Sequence, residues 1–180
     1  MSPKKIVITG GPGTGKTTIV QSLKDKGYIC LPEISRQVIL EARESGIDQL
    51  FLENPLLFSE KLLEGREKQY DEAQNHPGEI VFIDRGIPDI IAYMDYMNEP
   101  SPYTFEKAGK EHIYDLVFLL PPWKEIYIPD NERYENFEQA VNIHDFLEKT
   151  YKRFGYDPIE VPVGKIDYRT SFIEEVLKNS

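Results

Sequence analysis

Continuous apolar runs alternate along this chain with segments whose apolar positions recur at helical spacing. Five runs read as strands: Ile6–Thr9, Tyr28–Leu31, Ile80–Ile83, Leu116–Leu120 and Ile159–Val161. Most are unbroken rather than alternating, the pattern of strands covered on both faces. The helices between them carry recognisable ends. Asn54-Pro55 supplies an N-cap and a proline at the first helical position, so a helix is expected over Leu56 to Asn75, ending before His76-Pro77-Gly78. Asn136 and Gln139 form a capping-box-like start for a helix over Phe137–Phe154 that stops at Gly155. Ser35 is the expected cap of the helix after the second strand, and Asp167 of a last helix through Leu177. Strands alternating with helices predict an α/β fold with a parallel sheet. With no repeat, linker or low-complexity tract, residues 1–180 read as one domain. Pro100-Ser101-Pro102 breaks the chain, and residues 121–136, opening with Pro121-Pro122-Trp123, form a polar loop of the length and position of a lid.

Between the first strand and the helix that begins near Thr18 lies Gly10-Gly11-Pro12-Gly13-Thr14-Gly15-Lys16-Thr17. The pattern G-x-x-x-x-G-K-[ST], set between a strand and a helix, is the phosphate-binding loop. Its glycines let backbone N–H groups turn onto phosphate oxygens, and the helix N-terminus adds its positive dipole end. Gly11, Pro12, Gly13, Thr14, Gly15, Lys16, Thr17 and Thr18 are therefore the expected nucleotide-binding set, with Lys16 on the outer phosphates and the Thr17 hydroxyl on Mg²⁺. The ligand predicted is a nucleoside triphosphate: ATP, with GTP possible.

Composition narrows the surroundings of that loop. Among 180 residues, 31 are acidic and 21 basic, a formal charge of −10. Such a balance argues against a nucleic-acid partner, and it means that cations gathered at one place are held there for an anion. The single cysteine, Cys30, excludes an internal disulfide, and its apolar strand predicts a buried core thiol. No apolar run reaches membrane-spanning length and the first strand begins at the N-terminus, so membrane insertion is not expected and a cytoplasmic location is. His76, His112 and His144 have no metal-ligand spacing.

A parallel sheet presents ligands at the carboxyl ends of its strands. The third strand ends in Asp84, the expected second Mg²⁺ contact. Beside it stands Arg85, where motor-type ATPases usually place a glutamate that polarises water. An arginine stays protonated and cannot serve as a base, but it can hold a substrate or the transferring phosphoryl group. Glu33, past the second strand, is a candidate to orient or deprotonate an acceptor hydroxyl. Arg36, one turn on, either enters the same cleft or pairs with nearby acids. Arg133, with Lys124, is a candidate lid cation, in a loop that also holds Glu125, Asp130 and Glu132. Trp123 and Tyr127 either stack on a base or pack the loop down. Arg169, at the start of the final helix near where an adenine could rest, either stacks on the base or is an ordinary surface cation. Tyr93, Tyr96, Phe58 and Tyr70 are candidates for an acceptor pocket, though aromatics at helical spacing more often form core.

With the loop, Glu33 and Asp84-Arg85 in view, the chain resembles small P-loop kinases. It is most similar to the nicotinamide riboside kinase domain of bacterial NAD-metabolism proteins and to small AAA-family ATPases of the same layout. Glu33-Ile34-Ser35-Arg36 resembles the E-x-x-R segment of that kinase domain, Tyr114 to Leu120 its fourth strand, and Asn131-Glu132-Arg133 falls in its lid. A weaker similarity is to deoxynucleoside and thymidylate kinases. The resemblance implies a three-layer P-loop fold with a five-stranded parallel sheet, order 2-3-1-4-5, and helices on both faces. The activity expected is ATP- and Mg²⁺-dependent phosphoryl transfer to a small hydroxyl-bearing acceptor, nucleoside- or riboside-like. The alternative is a nucleotide-hydrolysing switch acting through a partner, because related domains occur in trafficking proteins that bind GTP and lipid. The N-K-x-D and D-x-x-G motifs of common GTPases are absent from the sequence.

Overall fold

The computed structural model describes residues 2–127 and 136–180. The strands are β1 (Lys4–Gly10), β2 (Ile29–Leu31), β3 (Ile80–Asp84), β4 (Leu116–Leu120) and β5 (Ile159–Glu160), and the helices are α1 (Lys16–Asp25), α2 (Ile34–Glu44), α3 (Leu50–Glu53), α4 (Pro55–Gln74), α5 (Ile87–Tyr96), α6 (Tyr103–Glu111), α7 (Phe137–Arg153) and α8 (Ile166–Lys178). The strands form one sheet in the expected order, β2-β3-β1-β4-β5, with every pairing parallel.

Alternate residues of the central strands bury on opposite faces, which is why the runs are apolar throughout. Ile6, Ile8, Phe82 and Phe118 pack with Ile19 and Leu23 of α1 and Ile173 of α8. Val7, Val81 and Val117 face the other way, onto Ala73 of α4, Tyr114 and Tyr151 of α7. A further apolar cluster joins Ile34 and Val38 of α2 to Leu62 of α4 and Ile90 of α5. Among the described residues no helix is long and apolar enough to cross a membrane.

The local signals place most helix ends well. The Asn54 side chain accepts from Leu57 N–H at 3.1 Å. The Asn136–Gln139 box closes in both directions, at 2.8 and 2.9 Å. Two expected caps fall elsewhere. The N-cap of α2 is Glu33, whose carboxylate accepts from the Ser35 N–H at 3.3 Å, so Ser35 lies inside the helix. The N-cap of α8 is Lys165, which leaves Asp167 in the first turn, where its charge still complements the dipole. Short α3 had no periodic signal. Cys30 is half-buried rather than fully enclosed, and burial pushes its thiol up to about 11.

Gly65 lets α2 and α4 touch: a Cβ there would stand 2.5 Å from Cγ2 of Ile34, the residue after Glu33. Alanine in place of an interior helical glycine ordinarily stabilises by about 1 kcal/mol. At this position overpacking reverses the sign, so Gly65→Ala is expected to destabilise by roughly 1–3 kcal/mol. A urea midpoint that rises instead would show that the two helices do not meet there.

Candidate active site

The pairing of β1 with β3 sets Ile8 opposite Asp84, so both strands end at one edge of the sheet. The loop after β1 opens α1. Gly13 and Gly15 adopt φ of 71° and 81°, a region that a side chain disfavours. The Thr14 hydroxyl donates to the Gly11 carbonyl at 3.0 Å and braces the loop from within. Thr17 and Thr18, at the helix start, are exposed.

Arg85, like the two glycines, has positive φ, at 72°. The conformation is costly for a side chain and is held from several sides. Its N–H donates to the Ile8 carbonyl at 3.0 Å, extending the β1–β3 ladder by one bond. Its Nη1 lies 3.2 Å from Oδ1 of Asp89, and its guanidinium stands 5.4 Å from the centroid of the Tyr93 ring. Asp89 is only 1% exposed, yet it is fully satisfied. It accepts from the Gly86 N–H at 3.0 Å, from Tyr151 Oη at 2.5 Å and from the Thr9 hydroxyl. Burial opposes the charge on Arg85, but Tyr93, Glu33, Asp89 and Asp84 outweigh it and raise its pKa, so the cation is permanent.

Glu33 meets three cations: Arg85 Nε at 2.5 Å, Arg66 Nη2 at 3.3 Å and Lys16 Nζ at 3.7 Å. Lys16 is also paired with Asp84. Burial, then the neighbouring Arg85, lower the Lys16 pKa, and the two carboxylates oppose them. Burial alone would raise the Glu33 carboxyl. Arg85, Arg66 and Lys16, with the Ser35 N–H, reverse that and hold it at about 2 against an ordinary 4.5.

Sequence reading missed the residues that hold this cluster. Arg66 donates to the Gly86 carbonyl at 2.7 Å as well as reaching Glu33. Gln69 donates to the Pro32 carbonyl at 2.5 Å. α4 thus ties the β2–α2 turn to the β3–α5 turn. Leu62, Arg66, Gln69 and Ala73 are the buried residues of α4, and their 4-3-4 spacing is that of a core stripe. That spacing was the available signal, hidden because Arg66 sits among Glu64, Glu67 and Lys68.

The other candidates separate. Lys16, Glu33, Asp84 and Arg85 line one cleft of about 430 Å³, and Arg36, exposed, stands at its edge. Arg169 is buried instead of presenting itself at the surface. It donates to the Thr14 carbonyl at 2.8 Å and to the Pro162 carbonyl at 3.0 Å, and lies 5.8 Å from the Trp123 ring centroid. It therefore pins the loop from behind. With Trp123, Ile126, Gly13 and residues 164–167 it borders a second hollow of about 850 Å³. Tyr127 packs against Gly13. Tyr96 packs on Phe146, Phe58 on Phe51, and Tyr70 on Tyr114 and His112, which makes them packing residues. Arg133 lies outside the described residues, with Asp130 and Glu132.

The sequence model of the AAA domain matches residues 5–169 of the chain. The chain belongs to the AAA domain family. Solved structures show which fold this member has. Deoxyadenosine kinase from M. mycoides, solved with the products dCMP and dCDP, is 19% identical, with a TM-score of 0.68 over 98% of this chain and 100% of that one. The NadR protein in complex with NR is 18% identical, with a TM-score of 0.74 over 98% of this chain but 50% of that one. Thymidylate kinase from Candida albicans is 20% identical, with a TM-score of 0.67 over 99% of this chain and 92% of that one. This AAA domain therefore has the fold of small P-loop kinases, as the resemblance implied.

A carboxyl whose folded pKa is depressed stabilises the protein fully above its unfolded pKa and loses that contribution as pH falls through the folded value. For Glu33 the window runs from about 4.5 down to about 2. The stability gap between wild type and Glu33→Gln, read from urea midpoints, is expected to be constant above this window and to shrink within it. A gap independent of pH across that range would refute the cation clamp.

Proposed function

We propose that this protein transfers the γ-phosphoryl group of ATP to a small hydroxyl-bearing metabolite, nucleoside- or riboside-like, in a Mg²⁺-dependent reaction. The observation that carries this reading is the shared cleft in which Lys16 of the phosphate loop faces Glu33, with Arg85 beside Asp84. A hydrolase needs a group that activates water. Here the neighbour of the strand-end acid is a permanent cation bound to Glu33.

The chain's own groups divide the work. The backbone N–H groups of the loop and Lys16 hold the phosphates, and Lys16 exchanges its pairing with Asp84 for a phosphate oxygen. The Thr17 hydroxyl and the Asp84 carboxylate line the same cleft. These are hard oxygen donors, and Mg²⁺ is commonly held by one or two such groups plus water and phosphate, so the pair fits that ion. When bound, the ion neutralises charge on the β- and γ-phosphates. Glu33 accepts a hydrogen bond from the acceptor hydroxyl and aims its oxygen at the γ-phosphorus. The oxygen–phosphorus bond forms as the bond to the β–γ bridging oxygen breaks, with ADP departing and the hydroxyl proton released to solvent. Arg85, fixed by Glu33 and Asp89, offsets charge on the transferring group. The loop entry at Trp123 and Tyr127, packed beside the phosphate loop, shields the donor side from water.

The test is acceptor-dependent ADP release from purified protein with ATP and Mg²⁺, across nucleosides, ribosides and their phosphorylated forms. Absence of any acceptor dependence would sink the reading in favour of hydrolysis. Glu33→Gln is expected to slow transfer about 100-fold or more while leaving the ATP dissociation constant within a few-fold. Equal loss of both would make Glu33 a structural residue.

A further inference from the structure

Resting on the phosphotransfer reading, the charge on the acceptor follows from the cations that the reading leaves unused. The cleft is lined by four of them, Lys16, Lys24, Arg36 and Arg85, against two carboxylates, Glu33 and Asp84. The chain as a whole carries −10, so an excess of positive charge in one cleft runs against the field of the molecule. Glu33 is neutralised by Arg85 and by Arg66 beneath it, and Asp84 by Lys16, whose place a bound Mg²⁺ would take. Lys16 is committed to the nucleotide. Arg36 and Lys24 remain. Both are exposed, and among the described residues neither is held in an ion pair.

They also come from different helices. Arg36 lies one turn into α2, three residues after Glu33, on the same side of the helix start. Lys24 lies near the end of α1, two turns beyond Lys16. The two line the cleft together with Pro32, whereas Trp123 and Arg169 border the second hollow, and Gln21 lines both. We propose that the acceptor is itself a phosphate monoester, whose dianionic group is held between Arg36 and Lys24 at the mouth of the cleft. A fork of arginine donors and a mobile ammonium match a phosphate in charge and in hydrogen-bonding capacity. The nucleotide's own phosphates do not need this pair, since the loop backbone and Lys16 serve them.

The experiment compares nucleosides with their 5′-monophosphates as acceptors under identical ATP and Mg²⁺, in wild type, Arg36→Gln and Lys24→Gln. Both substitutions are at exposed positions. The monophosphate is expected to exceed its nucleoside about tenfold or more in kcat/KM, and each substitution to lower that preference about tenfold. Product analysis is expected to find a second phosphate ester with the original monoester intact; a new phosphoanhydride would mean that the phosphate itself is the attacking group, and would overturn its placement between Arg36 and Lys24. Nucleosides preferred over monophosphates, or a preference unchanged in both variants, would overturn the inference and leave the kinase reading intact. No ADP release with either class would overturn both.

Discussion

The parallel pairing of β1 with β3 is the constraint on which the rest of this molecule depends. It brings the phosphate loop and the Asp84-Arg85-Gly86 turn to one edge of the sheet, and the Arg85 N–H extends the ladder past the last paired residue. Once those turns are adjacent, Lys16, Asp84, Arg85 and Glu33 have to share a largely enclosed space. None of them is cheap to bury alone. Each is tolerable because the others are there, and the cluster behaves as one unit of alternating charge.

The supports are as informative as the cluster. Asp89 turns a strained arginine into a fixed one, and it is itself stabilised by hydroxyls from β1 and α7. Arg66 and Gln69 project from one face of α4 onto two different turns, so a helix remote in sequence from both sets the distance between them. Arg169 does the same for the phosphate loop from α8. Three buried cations or amides thus hold three loops by their carbonyls, an economical use of long side chains whose stems also fill core volume.

The architecture supports a division of the site into two parts. On the proposed reading the donor side would be built mainly from the loop backbone with Lys16 and Thr17, the Thr14 hydroxyl and Arg169 holding that backbone in place. The acceptor side would then be built from side chains of α1, α2 and the β3–α5 turn, which line the same cleft. Family membership and the fold of small P-loop kinases accord with the first part and leave the second open.

Much of this was legible along the chain. The continuous apolar runs determine both-face burial, hence a parallel sheet between helices, and the Gly-Lys-Thr signature determines the phosphate loop because only that backbone geometry needs those glycines. Asp84 and Glu33 follow from the strand-end rule. Other features depended on contacts distant in sequence. Arg66 reads as one charge among many on a mixed helix until Gly86 and Glu33 are placed beside it. Asp89 reads as a helix-start acid until Tyr151, 62 positions away, donates to it. Arg169 reads as a surface cation or a base-stacking one until its guanidinium donates to the Thr14 carbonyl, 155 positions away. Periodicity and local motifs specify which face of an element is buried. What a buried polar group is bonded to is decided only when the elements pack, because its partner's position is a property of the whole fold.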